Sequence, residues 1–306
     1  MMDAVLLPER VEIVEVSPRD GLQAEDVLVD TATKLHLIER AVAAGVRRIE
    51  VASFVNPKRV PQMADGEDVV AGLPRRDDVT WIGLVLNVRG VERAIATGLR
   101  EVNGVVVCTD MFGERNQGVT ADGSVEVFAG IAAAAQAAGV RPTVTVSVAF
   151  GCPYEGEVAV EQVVHIARDC AAAGAAEVAL ADTIGVADPR AVAERVDAVR
   201  AAIGDIPLRA HFHNTRNTGI ANALAAVEAG VTVLDASLGG IGGCPFAPNA
   251  TGNIPTEDLA FMLERMGIDT GLDLDALVAT VPWIEDRLGK RVPGLLAKAG
   301  PFPRRP

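Results

Sequence analysis

The sequence predicts a (β/α)8 TIM barrel with extra C-terminal helices. Segments typical of β-strands alternate with helical patterns along most of the 306 residues, and there are eight such strands. Several Ala-rich helical patterns end in a glycine and lead directly into a β-rich run, as at Gly45, Gly98 and Gly230. A doubly wound open sheet would also alternate strands and helices, but no G-x-G-x-x-G motif follows the first strand.

The strand predictions rest on runs of β-branched residues with polar residues at their ends. The predicted strands are Val11–Val16, Arg48–Ser53, Thr80–Leu86, Glu101–Cys108, Thr143–Phe150, Glu177–Asp182, Leu208–Asn214 and Thr232–Ser237. The helices between them are predicted at Thr31–Ala44, Val60–Leu73, Val91–Thr97, Ser124–Ala138, Val158–Ala173, Pro189–Ile203 and Thr218–Ala229.

The chain continues beyond the eighth strand with two further helical patterns, Thr256–Met266 and Leu274–Leu288. We therefore expect one catalytic domain over residues 1–306, with the barrel at about 10–255 and a helical appendage at about 256–290. The Pro- and Arg-rich end, residues 301–306, is expected to be frayed.

Composition excludes several classes of protein. The formal net charge of −13 argues against a nucleic-acid or anionic-membrane partner. No apolar run approaches the roughly 18 residues that span a bilayer. The four cysteines lack paired metal spacing and no signal peptide is evident, so we expect reduced thiols and a cytoplasmic protein.

The segment Leu208–Asn214 carries the strongest chemical signal. Its alternation predicts a strand, in which His211 and His213 share one face and Phe212 takes the other. Two imidazoles held side by side on a rigid strand can bind a divalent metal. Two histidines that only hydrogen-bond within a core would give the same pattern. Other residues of the chain are needed to distinguish a metal site from a core pair.

Polar residues gather where a barrel has its chemistry, at the carboxyl ends of the strands. These residues are Arg19 and Asp20 after strand 1, Glu50 in strand 2, Asn87 after strand 3, Asp182 in strand 6, and Asn253 after strand 8. Asp20 with the two histidines makes an open cation site, to which Asn253 could add a neutral oxygen. Taken singly, Asp20 and Asp182 could be turn residues and Glu50 an ion-pair partner of Arg19.

The run Gly239–Gly243 lacks the Lys-Ser/Thr of a phosphate-binding loop and is more typical of a flap that closes over a ligand. Cys244 follows it. The residue is either a small loop residue or a reactive thiol that closure brings to the site.

Seven motifs together resemble the 3-hydroxy-3-methylglutaryl-CoA (HMG-CoA) lyase family of the DRE-TIM metallolyase superfamily. They are Ser17-Pro18-Arg19-Asp20-Gly21-Leu22-Gln23, Ala52-Ser53-Phe54-Val55 with Pro57-Lys58, Val60-Pro61-Gln62-Met63, Gly151-Cys152-Pro153-Tyr154-Glu155-Gly156, Asp182-Thr183-Ile184-Gly185-Val186, His211-Phe212-His213, and Gly242-Gly243-Cys244-Pro245-Phe246-Ala247 leading to Gly252-Asn253. The resemblance covers about residues 10–290. Synthases of the superfamily share the Arg-Asp-Gly and His-x-His elements, whereas the glycine-cysteine motifs are typical of the lyases.

The resemblance implies a role for each matching residue. Asp20, His211, His213 and Asn253 match the family's ligands to Mg²⁺ or Mn²⁺. Arg19 matches a catalytic arginine, Cys244 a flap cysteine active in proton transfer, and Glu50 and Asp182 acidic active-site residues. The family reaction cleaves HMG-CoA to acetyl-CoA and acetoacetate, in leucine degradation or ketone-body metabolism, and a homodimer is expected.

Carbon–carbon cleavage needs a base for the substrate hydroxyl, and Asp182 and His211 both remain candidates. Asn214 and Arg216 replace an Asp and a Tyr of animal members, and the C-terminal cysteine of those members is absent. The altered pocket leaves open a longer acyl chain, as in isohexenylglutaryl-CoA lyases. A condensing acyltransferase that uses acetyl-CoA and a 2-oxo acid would share the same core motifs, and a non-catalytic barrel is a third hypothesis.

Overall fold

The computed structural model describes residues 7–243 and 252–302, and these form a closed barrel of eight parallel strands in sequence order. β1 pairs with β8, so the sheet closes on itself, and the predicted TIM barrel is confirmed. The strands are β1 (Glu12–Glu15), β2 (Arg48–Ser53), β3 (Thr80–Val85), β4 (Glu101–Val107), β5 (Arg141–Ser147), β6 (Val178–Asp182), β7 (Leu208–Phe212) and β8 (Val233–Ala236).

The strands are found where they were predicted, and two ends differ in an informative way. β5 starts at Arg141 and stops at Ser147, because Val148 has a positive φ of 52° that a strand cannot continue through. β7 stops at Phe212, one residue before His213, which pairs instead with Asn253 in an isolated antiparallel bridge. The second histidine is thus held by the chain that returns after β8.

Helices surround the barrel and continue after it. They are α1 (Thr31–Ala43), α2 (Gly66–Gly72), α3 (Val88–Ala96), α4 (Asp110–Asn116), α5 (Ala121–Ala137), α6 (Val160–Ala172), α7 (Pro189–Ile203), α8 (Gly219–Glu228), α9 (Thr256–Arg265), α10 (Leu274–Leu288) and α11 (Leu296–Ala299). The predicted C-terminal helices are therefore present as α9 and α10, and α10 packs against α1 and α9. No helix within 7–243 or 252–302 is long and apolar enough to cross a membrane.

The prediction of one helix over Val60–Leu73 is wrong. A short 3-10 turn, Pro61–Met63, precedes α2, and Asp65 lies between them. The Asp65 carboxylate accepts hydrogen bonds from Lys34 Nζ and from Thr31 Oγ1 at 2.7 Å. These contacts to α1 hold the chain at the break, which local periodicity does not reveal.

The amino-terminal half of the barrel interior is charged. Arg48 is buried and binds both Glu101 and Glu177, and Arg141 contacts the same two carboxylates. Arg209, only 1% exposed, continues this cluster towards β8. Because an unpaired buried charge is strongly destabilising, the alternation of acids and arginines is what allows this interior to be polar.

Candidate metal centre and active site

Several of the predicted site residues meet at the carboxyl-terminal mouth of the barrel, namely Arg19, Asp20, Glu50, His211, His213 and Asn253, whereas Asn87 caps the start of α3. Arg19 and Asp20 lie in a single π-helical turn, Ser17–Gly21, directly after β1. The turn is closed by the Val16 carbonyl, which accepts the backbone N–H groups of Arg19 at 3.2 Å and Gly21 at 3.1 Å. Gly21 has to be small, because a Cβ there would lie 2.7 Å from Ile241 Cγ1. The turn therefore presents Arg19 and Asp20 together to the barrel mouth.

Asp20, His211 and His213 form a compact cluster. One ligand atom from each lies within 4.8 Å of the other two, and both histidines are buried. His213 Nε2 is 3.9 Å from Asp20 Oδ2, and the two imidazole centroids are 5.1 Å apart. Two imidazoles and a carboxylate at these separations could hold one metal ion with open positions for a substrate.

Asp20 is held ionised. Burial would raise the pKa of this carboxyl, but Arg19, His211 and His213 together lower it well below its usual range. Arg19 Nη1 donates to Asp20 Oδ1 at 2.6 Å, and Asn253 Nδ2 donates to Oδ2 at 2.7 Å. Asn253 thus contacts the cluster through its amide nitrogen. Its amide group would have to rotate by about 180° before the oxygen could bind a metal.

The two histidines differ in their surroundings. Burial disfavours the charged form of His211, yet the hydrogen bond and charge of Asp235 raise its pKa above the ordinary value. Burial and the neighbouring His211 lower the pKa of His213 to about 4, so this ring is neutral at neutral pH. His213 Nδ1 is buried with no hydrogen-bond partner among the described residues. A neutral imidazole is the form that binds a metal, so the cluster fits a cation.

Arg19 is fixed between two carboxylates. Its Nε donates to Glu50 Oε2 at 2.5 Å, and its Nη2 also contacts that carboxylate. Asn103 Nδ2 donates to Glu50 Oε1 at 3.1 Å. Burial opposes the charge of Arg19, but Glu50 and Asp20 keep its pKa above the ordinary value. The ion pair between Arg19 and Glu50 considered from the sequence is therefore present, and it aims the guanidinium at the cluster.

The chain is similar to known proteins along almost its whole length. The HMGL-like family model matches residues 10–284. The chain belongs to the HMGL-like family. It is 45% identical to the (R)-citramalyl-CoA lyase of Chloroflexus aurantiacus over 96% of both chains. It is 40% identical to the mitochondrial hydroxymethylglutaryl-CoA lyase of Mus musculus over 96% of this chain and 90% of that one.

A solved structure agrees in fold and adds a ligand. An HMG-CoA lyase of Acinetobacter baumannii, in complex with coenzyme A and 3-methylmalate, superposes with a TM-score of 0.92 at 40% identity. The comparison covers 100% of this chain and 99% of that one. The coenzyme A in that structure belongs to the Acinetobacter lyase.

Asp182, at the end of β6, has a structural task in this HMGL-like protein. Its Oδ1 accepts the backbone N–H of Val186 at 2.9 Å, and its Oδ2 accepts that of Ala187 at 3.0 Å. Burial raises the pKa of Asp182 in spite of these bonds. Asp182 therefore shapes the turn after β6, which agrees with its interpretation as a turn residue. The raised pKa of its carboxyl is also compatible with a role as a proton acceptor.

The flap motif is described only in its first half. Gly239 and Gly240 are buried, each with a φ of 71°, and Gly239 donates its N–H to Glu257 Oε2 at 3.0 Å. The start of the glycine run is thus held by a hydrogen bond to the buried side chain of Glu257. Cys244, the predicted flap cysteine, lies outside the described residues.

The two residues that depart from animal members lie at the edge of the mouth. Arg216 Nη1 donates to the carbonyls of Ile184 at 2.8 Å and Gly185 at 3.0 Å, bracing the loop after β6. Asn214 Oδ1 accepts the N–H of Gly219 at the start of α8. Both side chains support loops around the cluster.

Asp235 and Asn103 were missed by sequence reasoning. Asp235 is an isolated acid in the apolar strand β8 and pairs in register with His211. An isolated acid in a buried strand was the available signal, because such a residue needs a partner inside the barrel.

Proposed function

We propose that this protein is a divalent-metal-dependent carbon–carbon lyase that cleaves HMG-CoA to acetyl-CoA and acetoacetate. The observation that carries the proposal is the cluster of half-buried Asp20 with the buried His211 and His213, with Arg19 beside it. The 40% identity to a hydroxymethylglutaryl-CoA lyase over 96% of the chain supports the substrate.

The cluster would hold the cation through Asp20, His211 and His213, with the Asn253 amide oxygen as a proposed fourth ligand. A bound divalent cation supplies a Lewis acid that lowers the pKa of a substrate hydroxyl, as metals do for bound water. The donor set also suits other first-row metals, and the family resemblance favours Mg²⁺ or Mn²⁺.

Cleavage needs a base for the tertiary hydroxyl. We assign it to Asp182, because burial raises its pKa and so makes the carboxylate a stronger base, and its two backbone contacts leave further lone pairs. His211 is the other candidate. Its Nδ1 is engaged by Asp235, so its remaining nitrogen cannot serve both a metal and a proton.

When the hydroxyl proton leaves, the C2–C3 bond breaks and C3 becomes the ketone carbon of acetoacetate. The bonding electron pair passes to C2 and the thioester carbonyl as an enolate. Arg19, held by Glu50 and Asp20, stabilises the enolate oxygen. The enolate carbon then takes a proton, for which Cys244 is the proposed donor, and acetyl-CoA leaves.

Citramalyl-CoA is a second candidate substrate, because the Chloroflexus (R)-citramalyl-CoA lyase shares 45% identity with this chain. This thioester has the same tertiary hydroxyl but lacks one methylene before the distal carboxylate, so its products are pyruvate and acetyl-CoA. One methylene is worth only about 1–3 kcal/mol in discrimination, so a single pocket can accept both substrates.

The decisive experiment is product analysis with purified protein, with Mg²⁺ or Mn²⁺ and with EDTA. We expect acetoacetate and acetyl-CoA from HMG-CoA only when metal is present. Citramalyl-CoA and isohexenylglutaryl-CoA are tested in parallel, and acetyl-CoA with several 2-oxo acids is monitored for free CoA. A metal-loaded protein that cleaves none of the three thioesters would contradict the lyase assignment, and CoA release would support the acyltransferase. Light scattering tests the proposed homodimer.

A further inference from the structure

We propose that Asp235 and Arg209 are positioning residues that present His211 Nε2 to the metal. The inference rests on the metal site of the proposed function and concerns residues that do not themselves touch the ion. It begins with one contact: His211 Nδ1 lies 3.1 Å from Asp235 Oδ2, and both side chains are buried.

The direction of this hydrogen bond follows from the charge of Asp235. Arg209 Nη1 donates to Asp235 Oδ1 at 3.0 Å, and a guanidinium is always charged, so the carboxyl is paired with a cation and is ionised. An ionised carboxylate can only accept, so Nδ1 of His211 must carry the hydrogen and donate it. In the neutral imidazole the free lone pair is then on Nε2, the atom that remains for a metal.

Arg209, two residues before His211 on β7, holds Asp235 in place. Its Nη1 donates to Asp235 Oδ1 at 3.0 Å, and its Nη2 donates to Asn103 Oδ1 at 3.3 Å. The Nε lies 3.0 Å from Glu177 Oε1. Each Asp235 oxygen therefore has a different donor, Arg209 on one side and His211 on the other, and the carboxylate cannot rotate without losing both.

This arrangement is specific to one histidine. His213 Nδ1 has no hydrogen-bond partner among the described residues, so only packing and the ligand itself orient that ring. His211 is the ligand fixed in advance, and Asp235 decides which of its nitrogens is available.

The substitution Asp235→Asn tests the idea with little change in shape. Arg209 can only donate, so the amide oxygen must face Arg209 and the amide NH₂ must face His211. The NH₂ then donates to Nδ1 and shifts the imidazole proton to Nε2, which closes that nitrogen to the metal. Mn²⁺ affinity of the metal-free protein, measured by the free-Mn²⁺ EPR signal, should fall about 10–100-fold.

The matched control is Glu101→Gln. Glu101 is an equally buried carboxylate in the same charged interior, but it binds Arg48 and Arg141 rather than a histidine. It should lower the melting temperature and leave the Mn²⁺ dissociation constant within about twofold of the parent protein. An equal loss of Mn²⁺ affinity in Glu101→Gln would overturn the proposal, because the effect would then be general destabilisation.

The substitution Arg209→Met provides a second test of the same proposal. It should weaken Mn²⁺ binding less than Asp235→Asn, and adding it to Asp235→Asn should cause no further loss, because both act through one path. Fully additive effects would contradict this.

A measurement on the unaltered protein removes any dependence on folding of the variants. In the Mg²⁺-loaded protein, long-range ¹H–¹⁵N spectra should show Nδ1 of His211 protonated and Nε2 without hydrogen. A proton on Nε2 would refute the proposal. Absence of Mn²⁺ binding by the unaltered protein would defeat the metal site as well, whereas normal binding with an unaffected Asp235→Asn would defeat this inference alone.

Discussion

At the scale of single residues, the site is built from pairs that restrain each other. Arg19 is bound on one side by Glu50 and on the other by Asp20, so its guanidinium has little freedom when a substrate arrives. A cation fixed in advance stabilises developing negative charge without reorganisation, which is the usual origin of a large catalytic effect.

We therefore expect Arg19→Gln to lower kcat about 10²–10³-fold, because the enolate oxygen loses its charged donor. Mn²⁺ binding should persist, since Asp20 and the histidines remain. Steady-state kinetics and Mn²⁺ titration measure the two effects separately. Arg93→Gln, which removes a guanidinium that binds Glu67 elsewhere in the protein, is the control. Turnover near that of the parent protein would remove Arg19 from the mechanism.

His213→Ala should act on the metal instead. The ring is neutral near pH 7, and its Nδ1 has no hydrogen-bond partner among residues 7–243 and 252–302. Removing the ring therefore breaks few contacts within the protein. We expect a large loss of Mn²⁺ content by elemental analysis with little change in unfolding. His165→Ala, which removes a ring bound to Asp122 instead, should retain full metal content. Unchanged metal content in His213→Ala would refute the ligand assignment.

At the scale of elements, the turn after β8 is anchored by buried acids. Glu257 at the start of α9 accepts the N–H of Gly239, and Glu15 of β1 accepts that of Leu238 at 3.0 Å. Neither acid has an ion-pair partner among the described residues, and burial raises the pKa of both, that of Glu257 to about 8. Glu257 is therefore neutral at pH 7, and both acids accept backbone N–H groups next to the glycine run.

The raised pKa of Glu257 predicts a pH dependence of stability. Between its unfolded value near 4.5 and about 8, the folded state binds the proton more tightly, so stability falls as pH rises through this interval. Glu257→Gln should flatten that decline, measured as urea midpoints between pH 5 and pH 9, with Glu15 retaining part of it. Glu114→Gln removes the same charge from the surface and should leave the decline unchanged. An identical decline in Glu257→Gln would show that another group causes it.

At the scale of the whole molecule, metal should stabilise the fold because the three proposed ligands come from the turn after β1, from β7 and from the chain just beyond β7. A ligand that binds only the folded state adds about 2.7 kcal/mol when present at 100 times its dissociation constant. We expect EDTA to lower the melting temperature and Mn²⁺ to restore it, while His213→Ala responds to neither. Identical melting with and without metal would contradict a site that exists only in the folded chain.

The sequence was sufficient for the barrel and for the grouping of Asp20, His211 and His213 at its mouth. Parallel strands share one carboxyl end, so Asp20, His211 and His213 could be placed together from strand order alone. Asp235 and Arg209 could not, because the alternation in β7 places Arg209 on the face of His211 but does not name its partner, and β8 is apolar apart from Asp235. Their partnership depends on the register between strands and on charges contributed by distant segments.

The charged interior also has a kinetic meaning. Arg48 and Glu177 are 129 residues apart in the chain, and Arg209 and Asn103 are 106 apart. Such contacts close long loops, so they give little stabilisation until most of the barrel has assembled. Interactions completed late in folding contribute little to the rate of assembly and mainly slow its reversal. The charged interior of the barrel is thus expected to lengthen the lifetime of the native state, so that the cluster of Asp20, His211 and His213 is seldom disrupted by unfolding.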